Sequence, residues 1–130
     1  MKLMKDMMNI KNFFCDTYAL IEIIKGNKNY EIYTDFILIT SELNLMELYY
    51  SLLRDYGQSF AEKYFNEWET SAIKIPTSFI RTAMELKHLH NKEKLSYIDC
   101  MGYIYAMENG IPFLTGDSKF QNKAGVEFVK

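Results

Sequence analysis

The sequence predicts an α/β fold with a central parallel sheet of about five short strands. Short apolar runs of strand length alternate with longer segments of helical periodicity, as in a parallel sheet flanked by helices. The chain has 130 residues, of which 48% are hydrophobic and 15% aromatic, so it suits one hydrophobic core rather than two. We find no internal repeat and no linker, and we expect residues 1–130 to form a single domain.

The first half of the chain predicts two strands and two helices. Residues 12–15 (NFFC) form a short apolar run, followed by Asp-Thr and by an amphipathic helix that we expect to end near Gly26. The continuous apolar run 35–40 (DFILIT) predicts a strand buried on both faces. Residues 41–57 predict a helix that begins at a serine cap and ends at a glycine. Because this helix is apolar almost all round, we expect it to be buried.

A third helix and a third strand follow. Residues 58–70 predict the helix, and residues 71–76 (SAIKIP) predict a short strand ended by proline. Another helix should begin at Thr77 or Ser78 and reach about His90.

The last part of the chain predicts a polar segment, one helix and two strands, in that order. Residues 91–95 (NKEKL) form a polar break, after which Ser96 begins a helix that runs through Glu108. Residues 111–115 (IPFLT) predict the next strand, and residues 126–129 (VEFV) predict an edge strand. Helices between the strands are what parallel pairing requires.

Charge and cysteine content limit the class of protein. The formal net charge of −2 argues against a protein that coats nucleic acid by bulk charge. Cys15 and Cys100 are too few for a disulfide framework and have no metal-binding spacing with His88 or His90, so we interpret them as buried thiols. The basic, Met-rich N-terminus is interrupted by acidic residues before it reaches the length of a signal sequence or a membrane span. We therefore expect a cytoplasmic protein that does not associate with membranes.

Two aspartates follow predicted strands directly. Asp16 comes after the strand NFFC, and Asp117 comes after the strand IPFLT and a glycine. Ligands bind at the carboxyl ends of parallel strands, so both carboxylates should lie on the same edge of the sheet. Each could instead cap the helix or turn that follows it, and both roles remain open.

Glu47 lies within an apolar stripe of the predicted helix 41–57. Its neighbours one turn away are Leu43 and Tyr50, and a charge in such surroundings is costly unless it is paired or bound to metal. The alternative is that Glu47 lies at an exposed edge of the stripe and reaches water or pairs with a lysine or arginine elsewhere.

Asp99 presents the same question on the predicted helix that begins at Ser96. Gly102 and Ala106 share its face, and such small residues would allow another element to approach closely. The alternative is structural, because Ser96 and Asp99 have the spacing of a capping box. A ligand role and a capping role compete for the same side chain.

Together, four acidic side chains near one edge would repel each other unless a cation lay between them. Oxygen ligands without histidine or cysteine favour Mg²⁺ or Mn²⁺ over zinc. Metal-assisted hydrolysis of a phosphodiester uses such a cluster, because the cation activates water and neutralises charge on the leaving oxygen.

The segments that carry these acids resemble the four acidic motifs of the PIN domain family, most closely the VapC-like toxins; they are FFCDTYALIE, LNLMELYYSLL, LSYIDCMGYIYA and GIPFLTGDSKF. The resemblance covers roughly residues 12–121. It implies a three-layer sandwich of helices around a parallel sheet and an endoribonuclease that depends on Mg²⁺ or Mn²⁺. It also implies RNA as the substrate, a homodimer, and the role of toxin in a type II toxin-antitoxin pair, with an antitoxin whose tail covers the site.

The resemblance also assigns individual roles. The catalytic, metal-binding carboxylates fall on Asp16, Glu47, Asp99 and Asp117. Supporting hydroxyl groups fall on Thr17 and Thr115. Many members of the family have a further acidic residue where this chain has Lys119, so the number of metal ions, one or two, stays open; Lys119 could also contact a phosphate. No RNA-contacting residue is assigned.

Three other functions remain as alternatives. A phosphatase or phosphotransferase with an aspartyl nucleophile would need a second carboxylate two residues after Asp16, where this chain has Tyr18. A PIN nuclease could act in RNA processing rather than as a toxin. A PIN-like module could also bind RNA or assemble with other proteins without catalysis. Cleavage of RNA that depends on metal would separate the last alternative from the nucleases.

Overall fold

A computed structural model describes residues 11–130. The Met-rich segment 1–10, on which part of the expectation about signal sequences depends, lies outside the described residues. None of the helices within residues 11–130 is long and apolar enough to cross a membrane.

The described residues form one parallel sheet of five short strands in the order β3-β2-β1-β4-β5. The strands are β1 (Asn12–Cys15), β2 (Ile37–Ser41), β3 (Ala72–Ile73), β4 (Phe113–Thr115) and β5 (Val126–Phe128). The prediction that the last strand lies at an edge is confirmed. Because β1 lies at the centre with β4 beside it, the residues that follow these two strands are neighbours at the carboxyl end of the sheet.

Five α-helices and four short 3₁₀ segments complete residues 11–130. The α-helices are α1 (Thr17–Ile24), α2 (Glu42–Tyr56), α3 (Gln58–Glu69), α4 (Ile80–Leu89) and α5 (Tyr97–Glu108). The 3₁₀ segments are Lys28–Asp35, Thr77–Phe79, Asn91–Glu93 and Ser118–Phe120.

Alternating side chains of β1 divide the core into two halves. Phe13 belongs to a buried cluster with residues of α1, α2 and α3, whereas Phe14 belongs to a second cluster with residues of α4 and α5. Successive side chains of a strand point to opposite faces, so helices cover the sheet on both sides. The predicted three-layer α/β sandwich is confirmed.

The prediction that the second strand is buried on both faces is wrong for its first half. The strand begins at Ile37 rather than at residue 35, and the Ile37 side chain is 50% exposed, whereas Thr40 is fully buried. The two-residue strand β3 pairs only with the end of β2, so the first half of β2 has no strand beside it on that edge. The 3₁₀ segment Lys28–Asp35 before this strand was not predicted from the sequence.

The prediction that the helix 41–57 is buried all round is also wrong. One face of α2 packs into the core through Leu45, Leu48 and Leu52. The opposite face leaves Met46 58% exposed and Tyr50 64% exposed. An apolar composition indicates that a surface avoids water, but it does not show whether the chain itself covers that surface.

Two boundaries near Pro76 differ from the prediction. The strand predicted over residues 71–76 pairs only at Ala72–Ile73, and the next helix begins with the 3₁₀ turn Thr77–Phe79 before α4. Proline has no backbone N–H to donate to a neighbouring strand, so it ends the extended segment before the turn.

Candidate active site

An acidic cavity of about 270 Å³ opens at the carboxyl ends of β1 and β4. Asp16 directly follows β1, and Asp117 lies two residues after the end of β4. Glu47 reaches the same cavity from α2, and Asp99 reaches it from the first turn of α5. The rest of the lining consists of Thr17, Tyr18, Ser51, Ser96 and Lys119. All four carboxylates predicted from the sequence therefore line one cavity.

Asp16 is buried at the N-terminus of α1. Its Oδ1 accepts a hydrogen bond from the backbone N–H of Ala19 at 2.9 Å, so Asp16 has the capping contact that was one of its two possible roles. Its Oδ2 accepts a hydrogen bond from the Thr115 hydroxyl at 2.5 Å. Burial, with smaller contributions from the negative charges of Asp99 and Asp117, raises the pKa of Asp16 to about 7 against the lowering effect of these two hydrogen bonds. In the absence of a cation, this carboxyl group therefore holds its proton far more tightly than a solvated aspartate does.

Thr115 connects the two aspartates at the ends of the strands. Its hydroxyl donates to Asp16 and accepts a hydrogen bond at 3.0 Å from the backbone N–H of Asp117. The Asp117 carboxylate in turn accepts the backbone N–H of Lys119 at 3.0 Å and caps the 3₁₀ turn that follows. Asp117 thus makes the capping contact that was one of its two possible roles, and its side chain also lines the acidic cavity.

Gly116 allows Tyr18 to pack against the turn between β4 and Asp117. A Cβ atom at this position would lie 2.2 Å from Cε1 of the Tyr18 ring and 2.2 Å from the carbonyl oxygen of Val129. Only glycine leaves room for both neighbours, and the Tyr18 ring, which lines the acidic cavity, is held against the backbone.

Glu47 is half-buried on α2, and its Oε1 accepts a hydrogen bond from the Thr17 hydroxyl at 2.6 Å. Desolvation raises the pKa of Glu47, with a smaller contribution from the negative charge of Asp99, and the two together exceed the opposing effect of the Thr17 hydrogen bond. Among residues 11–130, no side-chain nitrogen of a lysine, arginine or histidine lies within 4 Å of a carboxylate oxygen of Glu47 or of the other three acids. The ion pair considered for Glu47 therefore has no partner in the described part of the chain.

Asp99 forms the predicted capping box. Its backbone N–H donates to the Ser96 hydroxyl at 2.9 Å, and its Oδ2 accepts the backbone N–H of Ser96 at 2.9 Å. The capping role is thus confirmed, although the same side chain also lines the acidic cavity. The close approach predicted for this face of the helix is present as well, because a Cβ at Gly102 would lie only 3.0 Å from the Phe14 ring.

Asn44, which connects α1 and α2 by a hydrogen bond, was not among the site residues predicted from the sequence. Asn44 is 2% exposed, and its side-chain amide donates to the Thr17 hydroxyl at 3.1 Å. Thr17 is itself the hydrogen-bond donor to Glu47. The sequence feature that could have indicated its role is an asparagine between two leucines on an apolar helix, one turn before Glu47.

The donor chemistry of the acidic cavity suits a hard divalent cation. Carboxylate and hydroxyl oxygens are the ligands that Mg²⁺ and Mn²⁺ prefer, and Lys119 is the only basic residue among the described residues that line the cavity. Within residues 11–130, however, no three histidine, cysteine or acidic side chains form a preformed cluster with metal-binding spacing. The acids share a cavity without converging on one point, and they would have to approach each other to bind one ion.

Comparison with a family model places the chain among known proteins. The model of the PIN domain matches residues 13–126, a range that contains all four carboxylates. The protein belongs to the PIN domain family, as its acidic motifs predicted. No curated protein matches the sequence.

Solved structures with a similar fold include VapC-like proteins. VapC20 of Mycobacterium tuberculosis, described as a sarcin-ricin loop cleaving toxin, is 18% identical with a TM-score of 0.74, over 91% of this chain and 99% of that chain. VapBC2 of Rickettsia felis, bound to a DNA fragment from its promoter, is 14% identical with a TM-score of 0.70, over 91% and 97% of the two chains. A toxin-antitoxin complex from Klebsiella pneumoniae is 16% identical with a TM-score of 0.67, over 88% and 94%. At these identities the likeness shows the fold alone.

Proposed function

We propose that the protein is an endoribonuclease that hydrolyses RNA phosphodiester bonds with the help of Mg²⁺ or Mn²⁺. The observation that carries this proposal is that Asp16, Glu47, Asp99 and Asp117 line one cavity, and that among residues 11–130 no basic side-chain nitrogen lies within 4 Å of their carboxylate oxygens. A bound cation would offset the repulsion between these acids and favour their ionised forms.

The four carboxylates would hold the cation. When bound, Mg²⁺ or Mn²⁺ supplies charge neutralisation at the phosphodiester and lowers the pKa of water, so that hydrolysis proceeds near neutral pH. The protein contributes the orientation of the acids: Thr115 holds Asp16, and Thr17 holds Glu47. Lys119, exposed at the wall of the same cavity, is available to contact a phosphate oxygen of the substrate.

The role of toxin in a type II toxin-antitoxin pair is the finer part of the proposal. It is supported by the fold shared with VapC20, described as a toxin, with the toxin-antitoxin complex from Klebsiella pneumoniae, and with VapBC2. We expect the neighbouring gene to encode a small DNA-binding protein that co-purifies with this chain and suppresses its activity. A gene without such a neighbour would favour a PIN nuclease in RNA processing. The homodimer stays a prediction.

Incubation with RNA tests the proposed chemistry. We expect the purified protein to cleave single-stranded or looped RNA with Mg²⁺ or Mn²⁺ and to stop when EDTA removes the metal, because oxygen ligands alone cannot replace the cation. Fluorogenic RNA hairpins and single strands would report the rate, and Asp16→Asn is the control for a contaminating ribonuclease. Cleavage that persists in EDTA and in Asp16→Asn would overturn the mechanism. Folded protein that cleaves no RNA with saturating Mn²⁺ would indicate a non-catalytic PIN module.

Lys119 provides a second prediction in the same assay. Lys119→Met is expected to raise KM about tenfold with a smaller change in kcat, because it removes a charged contact to the substrate phosphate. Lys119→Arg keeps the positive charge and should retain most of the affinity. Equal KM values for Lys119→Met and the unaltered protein would show that Lys119 makes no contact with substrate.

A further inference from the structure

Asn44 is a buried polar residue whose contacts exceed what its position in α2 requires. It lies in the first turn of the helix, and its backbone N–H donates to the Ser41 hydroxyl at 3.1 Å, which is the usual contact with a serine N-cap. This contact uses only the backbone of residue 44. Its side-chain amide makes two further hydrogen bonds, which helix capping does not explain.

The hydrogen-bond partners fix the direction of the amide. The Ser41 hydroxyl donates to Asn44 Oδ1 at 2.6 Å, so the NH₂ group of the same amide points towards Thr17. An amide NH₂ group has no lone pair to offer, and the Thr17 oxygen must therefore act as the acceptor at 3.1 Å. The single Thr17 proton is then free to donate to Glu47 Oε1 at 2.6 Å.

Packing holds this chain of hydrogen bonds in place. Asn44 is 2% exposed, and a Cβ at Gly102 of helix α5 would lie 3.6 Å from its Oδ1. The amide thus lies between α2 and α5 with little room to turn. At the other end of the chain, Glu47 Oε2 has no hydrogen-bond partner among residues 11–130, and Glu47 lines the acidic cavity.

We propose that Asn44 is a positioning residue, which acts through the Thr17 hydroxyl to hold Glu47 with one oxygen fixed and the other available in the acidic cavity. The inference rests on the proposed function, since it assigns Asn44 to the same site. It adds a buried residue that touches neither substrate nor cation. Removing a residue that orients a metal ligand without binding the metal typically lowers metal affinity or activity by about 10- to 100-fold.

A double-mutant cycle tests the proposal. Asn44→Leu removes the amide at similar volume, Thr17→Val removes the hydroxyl, and the double variant removes both. The readouts are the Mn²⁺ dissociation constant from calorimetry, which needs no RNA, and kcat from the cleavage assay. We expect each single variant to weaken Mn²⁺ binding and to lower kcat by about tenfold or more, and the double variant to be no worse than the more damaged single variant.

Thr40→Val is the matched control. Thr40 is fully buried, and its hydroxyl donates to the carbonyl oxygen of Cys15 at 2.8 Å. Thr40→Val therefore also loses a buried hydrogen bond, but Thr40 does not line the acidic cavity. The variant should lower the melting temperature and leave Mn²⁺ binding unchanged. Thr17→Ser, which keeps the hydroxyl, should retain Mn²⁺ affinity.

Three results would overturn the proposal. The first is an Asn44→Leu variant whose Mn²⁺ affinity and kcat match those of Thr40→Val. The second is a double variant whose losses multiply, since Asn44 and Thr17 would then act separately. The third is an unaltered protein that binds no Mn²⁺.

If Asn44→Leu does not fold, Asn44→Ser replaces it in the cycle, because the serine side chain is too short to reach Thr17. A protein that shows the expected cycle in Mn²⁺ affinity but cleaves no RNA would contradict the proposed function and leave the role of Asn44 intact.

Discussion

Asp99→Asn is expected to remain folded and to lose RNA cleavage by orders of magnitude, whereas Ser96→Ala is expected to lose stability and remain active. The asparagine side chain would keep an oxygen that can accept the Ser96 backbone N–H, so the capping box survives the substitution, but the negative charge at the cavity is lost. Substrate positioning and charge neutralisation depend on where the cation lies, and the loss of one charged ligand therefore affects rate far more than folding.

Ser96→Ala isolates the structural role. It removes the hydroxyl that accepts the Asp99 backbone N–H and should cost about 0.5 to 2 kcal/mol of unfolding free energy. Urea denaturation and the cleavage rate per folded molecule measure the two effects separately. If both variants are equally destabilised and equally active, Asp99 serves only as a helix cap and does not belong to the metal site.

The stability of the metal-free protein is expected to fall as pH rises from about 4 to about 7, and Asp16→Asn is expected to remove most of this fall. The pKa of Asp16 is raised to about 7 in the folded protein, mainly by burial, whereas the unfolded chain has the ordinary aspartate value near 4. Between these values the folded state binds a proton that the unfolded state does not, so each step up in pH favours unfolding. The loss levels off above about pH 7 and amounts to roughly 4 kcal/mol at most.

Urea denaturation in EDTA at several pH values measures this effect. Asp16→Asn should be more stable than the unaltered protein at pH 8, with the difference shrinking towards pH 4. Asp55→Asn makes the same change in net charge at the exposed end of α2 and should not flatten the pH profile in this way. Parallel profiles for Asp16→Asn and the unaltered protein would show that Asp16 is already ionised in the metal-free fold.

Adding Mn²⁺ should stabilise the unaltered protein more at pH 8 than at pH 5, because the cation binds the ionised carboxylate.

The sequence predicted the two aspartates at the strand ends because both signals are local. An apolar run of strand length and an acidic residue at its end are visible within a few residues, and parallel strands bring their carboxyl ends to one edge. The sequence could not decide in the same way between the capping role and the ligand role of Asp99. The spacing that makes a capping box also orients the side chain at the N-terminus of a helix, where it can line a cavity, so one pattern serves both roles.

Asn44 and the exposed face of α2 were missed because they depend on contacts between elements distant in the sequence. The partner of the Asn44 amide is Thr17, which lies 27 residues earlier on another helix. Similarly, whether Met46 and Tyr50 are covered depends on how α2 lies against the sheet and α3, and their apolar character gives no information about that.

Crystals grown with Mn²⁺ would test most directly whether the four carboxylates form a metal site, because the anomalous scattering of manganese locates the ion without relying on activity. We expect an anomalous peak inside the acidic cavity, within coordination distance of oxygens from Asp16, Glu47, Asp99 and Asp117. The same experiment on Asp16→Asn should give a weaker peak or none. A strong peak elsewhere on the protein, or an empty cavity at a Mn²⁺ concentration that supports RNA cleavage, would contradict the metal site proposed for these residues.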